Sequence, residues 1–335
     1  MNRRTFLLRS AGLAAAGLLS RSLLRAQPAA PSAGSGPASP AGSTPSTSSG
    51  QAGSPPAGPP AAPPVTEFKP LRRNTGIFTG RGGTIGWLAS PAAIVVVDTQ
   101  FPDTAAVCLA GLPGRAGRRL DAVINTHHHY DHTSGNPVFK PATKTIVAQV
   151  NVPKLQFAAA EKSGDLDKQV FADTTFAEAW RHDCGDEVVT AQYFGPAHTG
   201  GDAVIMFEQA NVVHMGDLVF NRLYPYIDRP GGANARGWVA RLEEVHRTFP
   251  ADAIYIFGHG NSKFGVTGTR DDLLVMRDLL NALLAHVQQG IAAGKTKAEI
   301  TALGNLPGFP DFHAPAPNRL PSILGTVYDE LTAKA

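Results

Sequence analysis

Cysteine is scarce in this chain of 335 residues: Cys108 and Cys184 are the only two. Two thiols cannot build a disulfide framework, and their spacing matches no metal-binding pair, although one bridge between them stays open. Charge is also low. Asp, Glu, Lys and Arg make up 17% of the residues, and Arg3, Arg4, Arg9, Arg21 and Arg25 precede any acidic residue. Taking those five arginines from the net +3 leaves −2 for the remainder. The basic overall balance is therefore no argument for nucleic acid, and no basic stripe for a polyanion is present. No apolar run reaches the ~20 residues of a membrane span, and no short repeat is visible. What the chain does have is a 43% hydrophobic content, enough core for one large domain or two small ones.

Residues 1–27 read as an export signal. Asn2-Arg3-Arg4-Thr5-Phe6-Leu7 is a twin-arginine head, Ala11 to Leu19 a short apolar segment, and Leu24-Arg25-Ala26 a small-residue cleavage point. No cysteine follows closely, which argues against a lipid anchor. The expectation is a periplasmic or secreted protein with no stable membrane insertion after cleavage. Residues 28–66 are almost wholly Pro, Ala, Ser, Gly and Thr; with nothing to bury, they are expected to form a disordered linker.

From Glu67 to the end the composition becomes that of a folded domain. Thr75–Thr79, Thr84–Leu88 and Ala93–Asp98 read as strands, Thr104–Leu112 as a helix, and Ala122–Asn125 as a buried strand. Thr145–Ala148 reads as a short strand and Asn151–Lys162 as a helix with Asn151 at its N-cap. A second β series covers Val188–Phe194, Ala203–Phe207 and Asn211–His214. A helix over Trp238–Thr248, a strand over Ala253–Phe257 and helices over Arg270–Gln289 and Ser322–Thr332 complete the chain. Two β-rich halves, each followed by helices, point to two sheets packed face to face with helices outside.

The densest chemistry lies after the Ala122–Asn125 strand, in Thr126-His127-His128-His129-Tyr130-Asp131-His132. In an extended segment His127 and His129 point the same way and can meet at one ion; Asp131 and His132 follow after the chain turns. Three further candidates stand where strands stop: His198 in Gly195-Pro196-Ala197-His198-Thr199-Gly200-Gly201-Asp202, Asp217 after His214, and His259 between Gly258 and Gly260. Imidazole with carboxylate suits zinc and tolerates iron or manganese. His128 is expected to point away and His214 to be a core residue. His182, His246, His286 and His313 have no ligand context. Tyr130, Tyr224, Tyr226 and Arg222 lie near these loops as candidates to line a pocket. Leu218 to Arg236 and the tail after Leu306 are candidates to shape it.

The series His127-x-His129-x-Asp131-His132, then His198, Asp217 and His259, resembles the metallo-β-lactamase superfamily, over the chain from Glu67 onward. The resemblance implies an α/β fold, a four-layer αββα sandwich of two mixed β-sheets with helices outside and a dinuclear site at one edge. It implies that His127, His129 and His198 hold one metal, that Asp131, His132 and His259 hold the other, and that Asp217 bridges them. Asp98, at the end of a Val-Val-Val-Asp strand, matches an aspartate that supports the metal loop from behind. Two Zn²⁺ per chain are implied, with iron or manganese as substitutes.

Two Zn²⁺ less the charges of Asp131, Asp217 and a bridging hydroxide leave the site near +1, which lowers the pKa of a bound water towards ~7. The expected reaction is hydrolysis of a small acyl bond (ester, lactone, thioester or β-lactam) with the bridging hydroxide as nucleophile and Asp131 holding or shuttling its proton. The partner is a small-molecule substrate, and the oligomeric state is left open. An aspartate at position 217 resembles the glyoxalase II, lactonase and general hydrolase members more than the true β-lactamases. A mononuclear iron enzyme oxidising a sulfur or persulfide substrate, whose ligands are a subset of these, is the alternative.

Overall fold

The computed structural model describes residues 65 to 333. The leader expected over 1–27 and nearly all of the tether expected over 28–66 lie outside the described residues. Strands β1 (Glu67–Pro70), β2 (Thr75–Thr79), β3 (Ile85–Ala89), β4 (Ile94–Val97), β5 (Ala122–Asn125), β6 (Ile146–Gln149) and β7 (Thr174–Phe176) form one sheet in chain order. Pairing is antiparallel from β1 to β4 and parallel from β4 to β7.

Strands β8 (Ala179–Asp183), β9 (Val188–Tyr193), β10 (Ala203–Phe207), β11 (Val212–His214), β13 (Ile254–Ile256) and β15 (Thr267–Gly268) form the second sheet, with neighbours β15-β13-β11-β10-β9-β8. Only β11 and β13 run parallel in it. Between them in sequence, β12 (Phe220–Asn221) pairs with β14 (His259–Gly260) as a separate two-stranded ribbon. Helices α1 (Pro102–Gly111), α2 (Tyr130–Thr133), α3 (Asn136–Phe139) and α4 (Val152–Ser163) accompany the first sheet in sequence, and α5 (Ala235–Thr248), α6 (Asp272–Ala292), α7 (Lys297–Thr301) and α8 (Arg319–Thr332) the second. No described helix is long and apolar enough to cross a membrane.

Strand alternation generates the layers, because successive side chains leave opposite faces of a sheet. In β4, Val95 and Val97 face inward with Ile124, Val147, Ile205, Phe207 and Ile256, which fills the space between the sheets. Ile94 and Val96 face outward onto Ala105 and Cys108 of α1, Leu112 just after it, and Phe139 of α3. On the far side Val204, Val213 and Tyr255 pack against Trp238, Leu242 and Val245 of α5 and the apolar stripe of α6. Three apolar interfaces between four layers make this an αββα sandwich. Cys108 and Cys184 are free, buried, and belong to different interfaces.

The differences from the sequence reading have local causes. Strand β8 is an edge strand whose residues, Arg181, His182 and Asp183 among them, are exposed or half-buried, so it lacks the apolar signal of a strand. Helices α2 and α3 have four residues each, too few for a helical period. Asn151 stands at the start of α4, but its amide donates to Gly200 O (2.8 Å) instead of capping the helix. Helix α5 begins at Ala235 because Asn234 caps it, accepting from Gly237 N at 2.7 Å. Helix α8 begins at Arg319, three residues before Ser322.

The outcome for function is that β4, β5, β9, β11 and β13 all release their carboxyl ends at the same edge of the sandwich. Leu242, fully buried in the α5 interface, tests the packing of that scaffold. Leu242→Ala is expected to cost about 3 kcal/mol in urea unfolding, with an unchanged denaturant slope.

Candidate metal centre

At that edge the seven residues marked in the sequence converge into two groups. His127, His129, His198 and Asp217 form one, Asp131, His132 and His259 the other, with ligand atoms within 4.8 Å of one another in each. His129 Nδ1 lies 3.1 Å from His127 Nε2 and 3.0 Å from His198 Nε2. Asp217 stands between the groups. Its Oδ2 is 3.5 Å from His198 Nε2 and 3.4 Å from His259 Nε2, and its Oδ1 is 3.1 Å from His132 Nε2. Asp131 Oδ2 is 3.1 Å from His259 Nε2 and 3.8 Å from His132 Nε2.

The hydrogen bonds behind the histidines decide which nitrogen faces inward. Asp98 Oδ2 accepts from Thr126 Oγ1 (2.8 Å), so the Thr126 oxygen is left to accept from His127 Nδ1 (3.0 Å). Asp98 Oδ2 also accepts from His132 Nδ1 at 2.7 Å, and Oδ1 from Thr126 N at 2.8 Å. The carbonyl of Tyr226 accepts from His198 Nδ1 at 3.0 Å, and Asp228 Oδ2 from His129 Nε2 at 3.0 Å. Each acceptor fixes one proton on the outer nitrogen and leaves a lone pair on the inner one. Asp98 holds this post in a left-handed backbone conformation (φ 64°), a strain that the bonds it makes explain.

Electrostatics divide the rings into two kinds. Burial, then repulsion from His132, keeps His127 well below the usual imidazole range, and burial with His129 takes His198 down to about 3. Burial opposes charge on His132 too, but Asp217, Asp131 and Asp98 outweigh it and raise the ring well above its ordinary value. His259 is raised to about 9, with Asp217 and Asp131 overcoming its burial. Asp217 is driven far down against its own burial by His259 and His132. Its buried Oδ1 meets the His132 ring nitrogen at 3.1 Å and makes no well-aligned hydrogen bond among the described residues.

Inward lone pairs and a buried carboxylate between two nitrogen clusters fit a pair of borderline cations, zinc first. The close backbone helps to make the space. A Cβ on Gly258 would stand 1.9 Å from Asp217 Oδ1, and one on Gly83 2.1 Å from the His132 ring.

Other residues sort as follows. His214 is a core residue, its Nε2 donating to Thr84 O (3.0 Å) and its Nδ1 accepting from Gly216 N (3.1 Å). His128 turns away from both groups and lies 3.4 Å from Asp228 Oδ2. Tyr130 and Tyr226 line the cleft, whereas two other candidates do not. Tyr224 is buried, its hydroxyl accepting from Leu306 N, and Arg222 is drawn off into an ion pair with Asp272 at 3.1 Å.

Asp228 was not singled out from sequence. It is held well below the usual carboxylate range, against its partial burial, by His128 and His129. One signal did exist: it is the sole acid between Asp217 and Glu243, inside the Gly- and Pro-rich segment already marked as pocket-shaping.

The sequence model described as the metallo-beta-lactamase superfamily matches residues 78–284. The chain belongs to that superfamily. A hydroxyacylglutathione hydrolase of Rhodospirillum rubrum is 27% identical over 184 residues, which are 52% of this chain and 60% of that protein. A probable metallo-hydrolase of Methanocaldococcus jannaschii is 43% identical over 51 residues, 15% of this chain and 25% of the relative. The chain therefore spans between a quarter and three fifths of the length of these curated relatives. Among solved structures, a double mutant of the sec-alkyl sulfatase PisA1 superposes with a TM-score of 0.61 at 18% identity, over 80% of this chain and 50% of that one. A metallo-β-lactamase of Hirschia baltica superposes with a TM-score of 0.52 at 17% identity, over 65% of this chain and 98% of that one. At such identities these two show the shared fold alone.

Because Asp228 fixes the His129 ring, Asp228→Ala is expected to weaken zinc retention by about 10- to 100-fold in a chelator competition while the protein stays folded. Retention equal to that of the parent protein would remove Asp228 from the account of the site.

Proposed function

We propose that the protein is a dizinc hydrolase of small acyl compounds, with thioesters and esters the first substrates to try. The observation that carries this reading is the Asp217 carboxylate, buried between two complete nitrogen and oxygen donor groups. A mononuclear iron oxygenase needs only a subset of these residues and gives Asp131 and His259 no common task. The hydroxyacylglutathione hydrolases of Rhodospirillum rubrum and Methylococcus capsulatus among the relatives support an S-acyl substrate.

In this reading His127, His129 and His198 would hold one zinc, Asp131, His132 and His259 the other, with Asp217 shared. When bound, such a pair supplies Lewis-acid activation of a water and of an acyl oxygen. The protein's own contributions follow from its geometry. Asp131 lines the cleft with its side chain 30% exposed, and its Oδ2 is the oxygen turned to the histidines. Oδ1 would then take the proton of the attacking water and deliver it to the leaving group. His129 is held by Asp228 and His198 by the Tyr226 carbonyl, so neither ring has to reorient during turnover. Phe220 stacks on the His259 ring with centroids 5.2 Å apart, and the apolar walls of Phe101 and Leu223 limit water around the reacting acyl group.

Metal analysis of the purified protein is expected to give two zinc per chain, and one iron per chain would favour the sulfur-oxidising alternative. Against a panel of thioesters, p-nitrophenyl esters, lactones and nitrocefin, turnover is expected with the acyl substrates. Asp131→Ala is expected to lower kcat by ~100-fold or more with the fold intact; near-normal activity in that variant would refute its role.

A further inference from the structure

The cleft beside the metal centre is a cavity of about 650 Å³ whose walls are mostly apolar or aromatic, among them Phe101, Phe220, Leu223, Tyr226 and Pro315. Apart from the histidines, a single cationic side chain lines it, Arg319. Other arginines of this region are already paired. Arg81 lies over the Phe101 ring but is neutralised by Asp103 at 2.8 Å, and Arg222 by Asp272. Arg319 is half-buried, and among the described residues its guanidinium has no carboxylate partner. It lies instead over the Tyr226 ring, 5.5 Å from the centroid, and Tyr226 in turn lies 5.7 Å from the His129 ring. Its charge leans on the ring, and with no side-chain hydrogen bond of its own among the described residues its N–H groups stay available for a planar oxyanion.

The position of Arg319 is fixed by the fold. It is the first residue of α8, a helix buried through Leu320, Ile323, Leu324 and Val327. The segment before it is tied to the loop after β12: Tyr224 N donates to His313 O at 2.9 Å and His313 N to Arg222 O at 3.2 Å. The positive end of the helix dipole adds to the charge at this point.

We infer that Arg319 is a specificity residue, which selects acyl substrates carrying a carboxylate on the arm that lies along the apolar wall past Tyr226. The choice of acyl compounds rests on the hydrolase reading above; the preference for an anion does not. A second cation, the exposed Lys162, borders a neighbouring cavity of about 620 Å³ on the other side of His129 and Tyr226. It provides the internal control.

The test uses the full-length protein loaded with zinc and a series of straight-chain mercapto-carboxylic acids of increasing length, each compared with its methyl ester by titration calorimetry. At the best-fitting length the acid is expected to bind about tenfold more tightly than its ester. Arg319→Met is expected to bring that ratio to about one with an unchanged melting temperature, Arg319→Lys to recover part of it, and Lys162→Met to leave it in place. The inference is overturned by a ratio near one at every length in the parent protein. A ratio that survives Arg319→Met or is lost in Lys162→Met overturns it equally. Turnover of the corresponding acid- and ester-bearing thioesters is then measured separately. Its complete absence would sink the hydrolase reading while the calorimetric result still decides the role of Arg319.

Discussion

A carboxylate buried among ring nitrogens is costly unless positive charge is brought to it, and Asp217 is such a group, with 4% exposure. The five strand ends at the cleft edge are arranged around this one demand. Histidines approach Asp217 from the loop after β5, from the loop after β9 and from β14, and the outer nitrogens of His127, His129, His132 and His198 are committed to Thr126, Asp228, Asp98 and the Tyr226 carbonyl. In His127 and His198, whose rings are held neutral, the inner nitrogens are left with lone pairs, while His132 and His259 carry the positive charge that Asp217 draws to itself. A pair of cations would resolve the imbalance, and the chemistry proposed for the protein follows from that.

The scaffold explains why so scattered a set of residues can be held to such tolerances. Positions 98, 126 to 132, 198, 217 and 259 leave the carboxyl ends of strands whose other ends lie in close-packed apolar layers. Two glycines, Gly83 and Gly258, let backbone pass where any side chain would collide with His132 or Asp217. Superfamily membership follows from the sequence match over residues 78–284, and the layer order is that of the sandwich.

Much of this could be read from the chain before folding. The seven inward residues were visible because each stands where an apolar strand gives way to a glycine-bearing or histidine-rich loop, a local signal. The central strands were visible for the same reason: runs such as Val95-Val96-Val97 are apolar on both faces. Strand β8 was not, because an edge strand that is exposed in alternation carries no such run. Asp228 and Arg319 were not visible either. Asp228 reaches His129 across about a hundred positions, and Arg319 reaches the cleft only after the tail docks on the loop around Tyr224. Neither contact leaves a mark in sequence spacing. The same limit applied to Arg222 and Tyr224, which are close to the site in sequence and turned away from it in space.

The central claim is that one buried aspartate is shared by two metal ions, and zinc-edge anomalous diffraction from crystals of the zinc-loaded protein tests it directly. The account predicts two peaks, one against His127, His129 and His198, the other against Asp131, His132 and His259, with Asp217 between them. A single peak, or density at the His128 and Asp228 side of His129 alone, would contradict it.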